Sequence, residues 1–175
     1  MFNAAVYRFR QGILSLFAPL RPLDLSLAAR YLNSEQMALF ERFRRGEQLH
    51  SLNVLRSVLA QGETPPELAV AALLHDIGKV RFPLRTWQKT LAVLVRAFAP
   101  PLFQRWSAGE YTDLWRRPFV VRVYHPIWGA ELAAKTGAAP TTLWLIAHHQ
   151  DKAVDWARHP AVELLRRLQA ADNRN

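Results

Sequence analysis

The chain of 175 residues contains no cysteine. That excludes disulfides and thiolate metal sites together, so any bound metal must be held by nitrogen and oxygen. Glycine is scarce, at seven residues, and no alternation of apolar and polar residues bounded by turn signals marks a strand. Acids are also in short supply: 14 Asp and Glu stand against 23 Lys and Arg, giving a formal charge of +9 and an isoelectric point near 10.8. Cationic partners are thereby disfavoured and anionic ones favoured: a phosphorylated small molecule, a nucleic acid or an acidic membrane surface. No stretch reaches the roughly 18 uncharged apolar residues that a membrane span needs. No convincing cleavage signal follows the apolar run at 12–20, so a cytoplasmic location is expected.

What the chain does contain is Ala, Leu and Arg in abundance, with 50% hydrophobic residues. This suits one domain with a sizeable core, and the expected fold class is all-α, a single-domain helical bundle. Repeats, low-complexity segments and linkers are absent. Residues 2–20 read as an amphipathic helix with Val6, Phe9, Ile13, Leu16 and Phe17 on one side; docking on the core is expected, with peripheral membrane contact as the alternative. Two short helices follow at 24–32 and 34–45, the second capped by Asn33 or Ser34 and closed by Gly46. Residues 47–61 form a better helix, striped by Leu49, Leu52, Leu55 and Leu59, with His50 beside the stripe.

Pro65-Pro66-Glu67 starts a helix whose continuation, 68–74, is almost wholly apolar, so it should be buried on most sides. It ends in His75-Asp76-Ile77-Gly78-Lys79, with Gly78 expected as a left-handed cap. Pro83 makes 80–86 a loop, and a helix at 87–99 is broken by Pro100-Pro101. The aromatic-rich stretch at 102–115 either covers a site or exposes an interaction surface. His125-Pro126 reads as a helix start, with closure at Gly137. Buried and amphipathic helices follow at 140–149 and 160–172.

A histidine and an aspartate at the end of a buried helix are costly unless a hydrogen bond or a metal satisfies them, and Lys79 lies where an ammonium could meet a phosphate. The dipeptide alone is weak. Its weight comes from the distribution of the other candidates: His50 in a helix, His125 at a helix start, His148-His149 at a helix end and Asp172 at the end of the last helix. Singly, His50 reads as a packed core residue, His125 as a cap and Asp172 as a fraying terminus. Adjacent histidines on a helix point about 100° apart, so His148 and His149 both reach one centre only if it lies between them. Helical bundles build metal sites from such inward-pointing side chains.

The ordered set His50, His75-Asp76, His125, His148-His149, Asp172 resembles the HD-domain superfamily of metal-dependent phosphohydrolases, and the run from His75 to Lys79 matches its HDIG variety. The resemblance implies an N-terminal helical extension over 1–45, packed on the core, and an HD domain over 46–175. It implies one metal held by His50, His75, Asp76 and Asp172. In dinuclear members His125, His148 and His149 would hold a second, with Asp76 bridging. Asp76 and Lys79 would be catalytic, Lys79 touching the bridging water or the substrate phosphate, and Arg81 and Arg85 are added as substrate-binding candidates. The implied activity is hydrolysis of a phosphate ester of a nucleotide or cyclic dinucleotide by a metal-activated water. Fe or Mn is favoured, with Zn, Ni and Mg also compatible. The alternatives are a mononuclear nucleotide phosphatase and an inactive metal-binding signalling or scaffold module. The Gly-Tyr-Pro signature of the HD-GYP subgroup is missing after the paired histidines, where Gln150-Asp151-Lys152 stands instead. Nucleic acid, supported by net charge alone, is not an expected partner.

Overall fold

The computed structural model describes residues 22–175; the amphipathic helix read at 2–20 lies outside the described residues. In chain order the helices are α1 (Leu25–Ala29), α2 (Ser34–Glu41), α3 (Arg45–Leu59), α4 (Pro66–Leu74) and α5 (Thr86–Phe98), then α6 (Pro100–Ser107), α7 (Arg117–Ala134), α8 (Pro140–His148) and α9 (Val162–Asp172). Short 3-10 turns lie at Ile77–Arg81 and Ala153–Trp156, and there is no strand among the described residues. The fold is all-α, as expected.

The starts are legible in the local chemistry. Asn33 and Gln36 form a reciprocal cap on α2, with the Gln36 N–H donating to Asn33 Oδ1 at 2.8 Å and the Asn33 N–H to Gln36 Oε1 at 3.1 Å. Prolines occupy the first turns of α4, α6, α7 and α8, where the missing N–H costs nothing.

Every residue of α4 from Leu68 to Leu74 is buried, which is why the helix is apolar all round. Leu52 and Leu55 of α3, Leu145 and Ile146 of α8, and Leu165 and Leu168 of α9 close around it, fully buried in one core. Each such side chain contributes roughly 1.5–3 kcal/mol relative to exposure. Ala28, Leu39 and Phe40 from α1 and α2 join that core. A smaller cluster of Ala92, Phe103 and Phe119 seats α5 and α6 on the start of α7.

Three local expectations are corrected. His125-Pro126 does not start a helix: it lies inside the 18-residue α7, which begins at Arg117 with Pro118 in its first turn. Pro126 removes one bond from the helical ladder, and burial of His125, Pro126 and Gly129 on the core side carries the helix through it. Gly46 does not close α2 but lies in the first turn of α3. Gly78 is not a left-handed cap, since only Gly62 and Gly137 have positive φ among the described residues. Gly137, at φ 69°, does close α7. No helix among the described residues is long and apolar enough to cross a membrane.

Candidate metal centre

The buried helix α4 delivers the central pair. His75 is its C-cap, with its backbone N–H on the Ala71 carbonyl at 2.8 Å, and Asp76 turns the chain into the 3-10 segment. That segment lies against α7 at van der Waals limits. A Cβ on Gly78 would fall 2.0 Å from the His125 carbonyl oxygen and 2.7 Å from the Gly129 nitrogen. Glycine is required here for backbone approach, not for handedness, and the approach is what sets Asp76 beside His125. From the other side, α3 brings His50, the end of α8 brings His149, and the last residue of α9 brings Asp172.

Asp76 is the hub. Its Oδ1 lies 3.1 Å from His125 Nε2 and 3.6 Å from His149 Nε2, while its Oδ2 lies 3.6 Å from His75 Nε2 and is bonded by the Lys79 ammonium. Asp172 Oδ1 stands 3.0 Å from His50 Nε2 and 3.6 Å from His75 Nε2. Two groups of ligand atoms, each within 4.8 Å, result: His50, His75 and Asp76; and Asp76, His125 and His149. Asp76 is common to both.

The three buried imidazoles are oriented alike. Nδ1 of His75 faces the Ala72 carbonyl at 3.1 Å, Nδ1 of His125 the Val121 carbonyl at 2.9 Å, and Nδ1 of His149 the Ile146 carbonyl at 2.8 Å. A carbonyl only accepts, so Nδ1 carries the proton in each ring and, in the neutral ring, Nε2 points into the centre as a bare lone pair. Nε2 of His75 and of His149 is buried without any hydrogen-bond partner. Orphaned buried nitrogens are expensive in a protein, and here they converge on carboxylates. A divalent cation satisfies both.

The electrostatics agree. Burial pushes His125 down to about 3 and lowers His149, so both stay neutral and able to ligate. Burial would raise Asp76, but the Lys79 ammonium and His75 hold it well below the usual carboxylate range. Asp172 is held low against burial by its close contact with His50 Nε2 and by the nearby His75 ring. His75 is the exception: burial pulls it down, yet the charges of Asp76 and Asp172 raise it. Nitrogen and carboxylate donors, with no thiolate, fit Fe, Mn, Zn, Ni or Mg.

Of the candidates read from the sequence, His50, His75, Asp76, His125, His149 and Asp172 are brought together, and Lys79 with them. His148 is not. Its ring packs 5.0 Å from Trp144 and 4.2 Å from Trp156, and its Nδ1 meets Asp151 Oδ2 at 2.7 Å. The 100° between neighbouring helical residues is decisive, because the centre lies on the His149 side rather than between the two. Arg81 and Arg85 are also not gathered in. Arg81 turns to Glu131 at 3.4 Å and over the Trp128 ring, and Arg85 is an exposed helix-start residue. Residues 102–115 belong to α6 and a turn: Phe103 and Trp106 pack in the Phe119 cluster, and Tyr111 stacks on Phe82 at 4.9 Å.

Two residues at the centre were not among the site residues expected from the sequence. Gln150 places its Nε2 3.2 Å from His125 Nε2; its position next to the paired histidines was the only available signal. Gly129, one helical turn after His125, receives the close approach of Gly78.

A family model described as the HD domain matches residues 49–174, a span that takes in both His50 and Asp172. The chain belongs to the HD-domain family, whose members are mostly metal-dependent phosphohydrolases. No curated protein and no solved structure matches it.

Proposed function

We propose that the protein is a metal-dependent phosphohydrolase with two divalent cations, Fe or Mn by preference, acting on a phosphate ester of a nucleotide or cyclic dinucleotide. The observation that carries this reading is the division of Asp76, one oxygen toward His125 and His149 and the other toward His75, which is the arrangement a bridging carboxylate needs. Bound metal would supply Lewis acidity and a nucleophilic water at neutral pH. The chain's own residues do the rest. The carbonyl-anchored imidazoles are pre-oriented, so little reorganisation accompanies charge development. Lys79, half-buried and bonded to Asp76, offers an ammonium to a phosphoryl oxygen entering beside Asp76. On the far side of Lys79 a cavity of about 80 Å³ runs between the 3-10 segment, α5 and α7, walled by Phe82, Leu84, Val93 and Val121. It suits a small apolar part of the ester's organic group.

The test is elemental analysis of purified protein, followed by hydrolysis of bis-p-nitrophenyl phosphate and a nucleotide panel. Metal-free protein that stays inactive with added Mn or Fe would overturn the reading. A mononuclear phosphatase is the second reading, favoured by Gln150 occupying the His125 lone pair. Near one ion per chain, unchanged in a His125→Ala, His149→Ala double variant, would establish it; about two ions, falling to one in that variant, would establish the dinuclear form.

A further inference from the structure

The two groups of ligand atoms are unequal. The first, His50, His75 and Asp76, has a second carboxylate beside it, with Asp172 Oδ1 at 3.0 Å from His50 Nε2 and 3.6 Å from His75 Nε2. The second, Asp76, His125 and His149, has only the shared Asp76. A divalent cation is therefore drawn by two negative charges at the first position and by one, shared, at the second. A further difference lies in the imidazoles. Nε2 of His75 and Nε2 of His149 have no hydrogen-bond partner, whereas Nε2 of His125 is met by Gln150 Nε2 at 3.2 Å. Because Nδ1 of His125 faces the Val121 carbonyl and carries the ring proton, its Nε2 is the acceptor and the Gln150 amide the donor. That hydrogen sits on the lone pair that a cation in the second group needs.

Gln150 lies in the turn after α8, and the backbone of that turn is tied down. Gln169 of α9 donates from Nε2 to the His149 carbonyl at 3.1 Å and to the Asp151 carbonyl at 2.7 Å, on both sides of Gln150. Gln150 itself is half-buried, so its amide can pass from His125 to water by side-chain rotation alone, at the cost of one hydrogen bond. We propose that Gln150 competes with the second cation for His125, so that one ion is resident and the other exchangeable, and activity follows the supply of free divalent cation. This role rests on the dinuclear reading above and adds to it the residue that sets the second affinity. Gln150 is a positioning residue: it acts on His125 and not on the substrate. Lys79, bonded to Asp76, offsets charge on the carboxylate common to both positions and does not create the difference between them.

The experiment is calorimetric titration of the metal-stripped full chain with Mn, with elemental analysis after gel filtration as the count of bound ions. The natural sequence is expected to bind in two steps, the second weaker. Gln150→Ala should tighten the second step by about fivefold, the equivalent of one hydrogen bond, and leave the first unchanged. Gln150→Glu keeps the length, removes the donor and adds a negative charge, so it should tighten the second step further. Should the alanine variant fail to fold, the glutamate variant decides in its place. A single ion in the natural sequence and two in Gln150→Ala would equally support the competition. Two steps with the second unchanged or weakened in the variant would overturn the proposal and leave the dinuclear reading standing. So would a parallel shift of both steps, which is what a merely structural role predicts. One ion per chain in all three proteins would overturn the dinuclear reading and the role of Gln150 with it.

Discussion

Lys79 combines two roles at the scale of one residue. Its ammonium offsets charge on Asp76, and it is the cation nearest to where a phosphoryl oxygen would sit. Removing it should separate turnover from metal binding: Lys79→Ala is expected to lower kcat by about 10²-fold or more, while metal content by elemental analysis stays unchanged. Loss of the metal along with turnover would make the lysine structural. The titration of the metal-free protein follows from the same side chains. His125, lowered to about 3, and His149, also lowered, take up protons in the unfolded chain near pH 6.5 but not in the folded one. Stability should therefore fall as pH drops below about 6.5, by about 1.4 kcal/mol per pH unit for each group. His75, raised, has the opposite sense: its contribution is complete below about 6.5 and is lost as pH rises through its folded value. Asp76 and Asp172, both lowered, contribute above about 4 and lose that contribution as pH falls further. Denaturant unfolding of the metal-free protein should thus show a maximum close to neutrality. A flat profile between pH 4 and pH 7, roughly the window set by these groups, would contradict the burial of neutral imidazoles.

At the scale of the element, the seat of the 3-10 segment on α7 decides whether there is a site at all. Gly78→Ala places a methyl against the backbone of α7, which cannot yield as a side chain can. It should destabilise the protein by about 2 kcal/mol or more and reduce metal content, because Asp76 moves with the segment. Gly129→Ala meets chiefly the Ile146 Cγ2 at 3.1 Å and the Gly78 nitrogen at 3.2 Å, and its cost should be smaller, about 1 kcal/mol. Equal costs, read by chemical denaturation, would mean that the close approach is not a constraint. The sequence marked Gly78 as special but for the wrong reason. A glycine after a helix end has a left-handed cap as its local explanation, and an approach to a helix some fifty residues later leaves no local trace. The same holds for His125-Pro126, where local rules read a start and core burial extended the helix through the proline. Where rules are local they sufficed: the cap at Asn33, one of the two residues read for it, the starts at Pro66 and Pro140 and the Gly137 closure are found.

At the scale of the molecule, the centre joins side chains from α3, α4, α7, α8 and α9, so a cation there ties most of the core elements together. Chelation should lower the thermal midpoint, and added Mn or Fe should restore it; metal present at about 1,000-fold over its Kd would add about 4 kcal/mol. An unchanged midpoint after full metal removal would argue that the ligands are held in place without an ion.

How much was visible beforehand follows from where each constraint acts. The all-α fold, the buried α4 and the order of histidines and aspartates were in the sequence, because helical period, apolar runs and residue chemistry are properties of neighbours along the chain. Which histidine of the pair at 148–149 faces inward, where Arg81 and Arg85 turn, and what Gly78 is for depend on which elements pack together. Those answers exist only once the helices are placed, since a side chain a turn away from its neighbour can point to core or solvent, and only the packed partner selects between them.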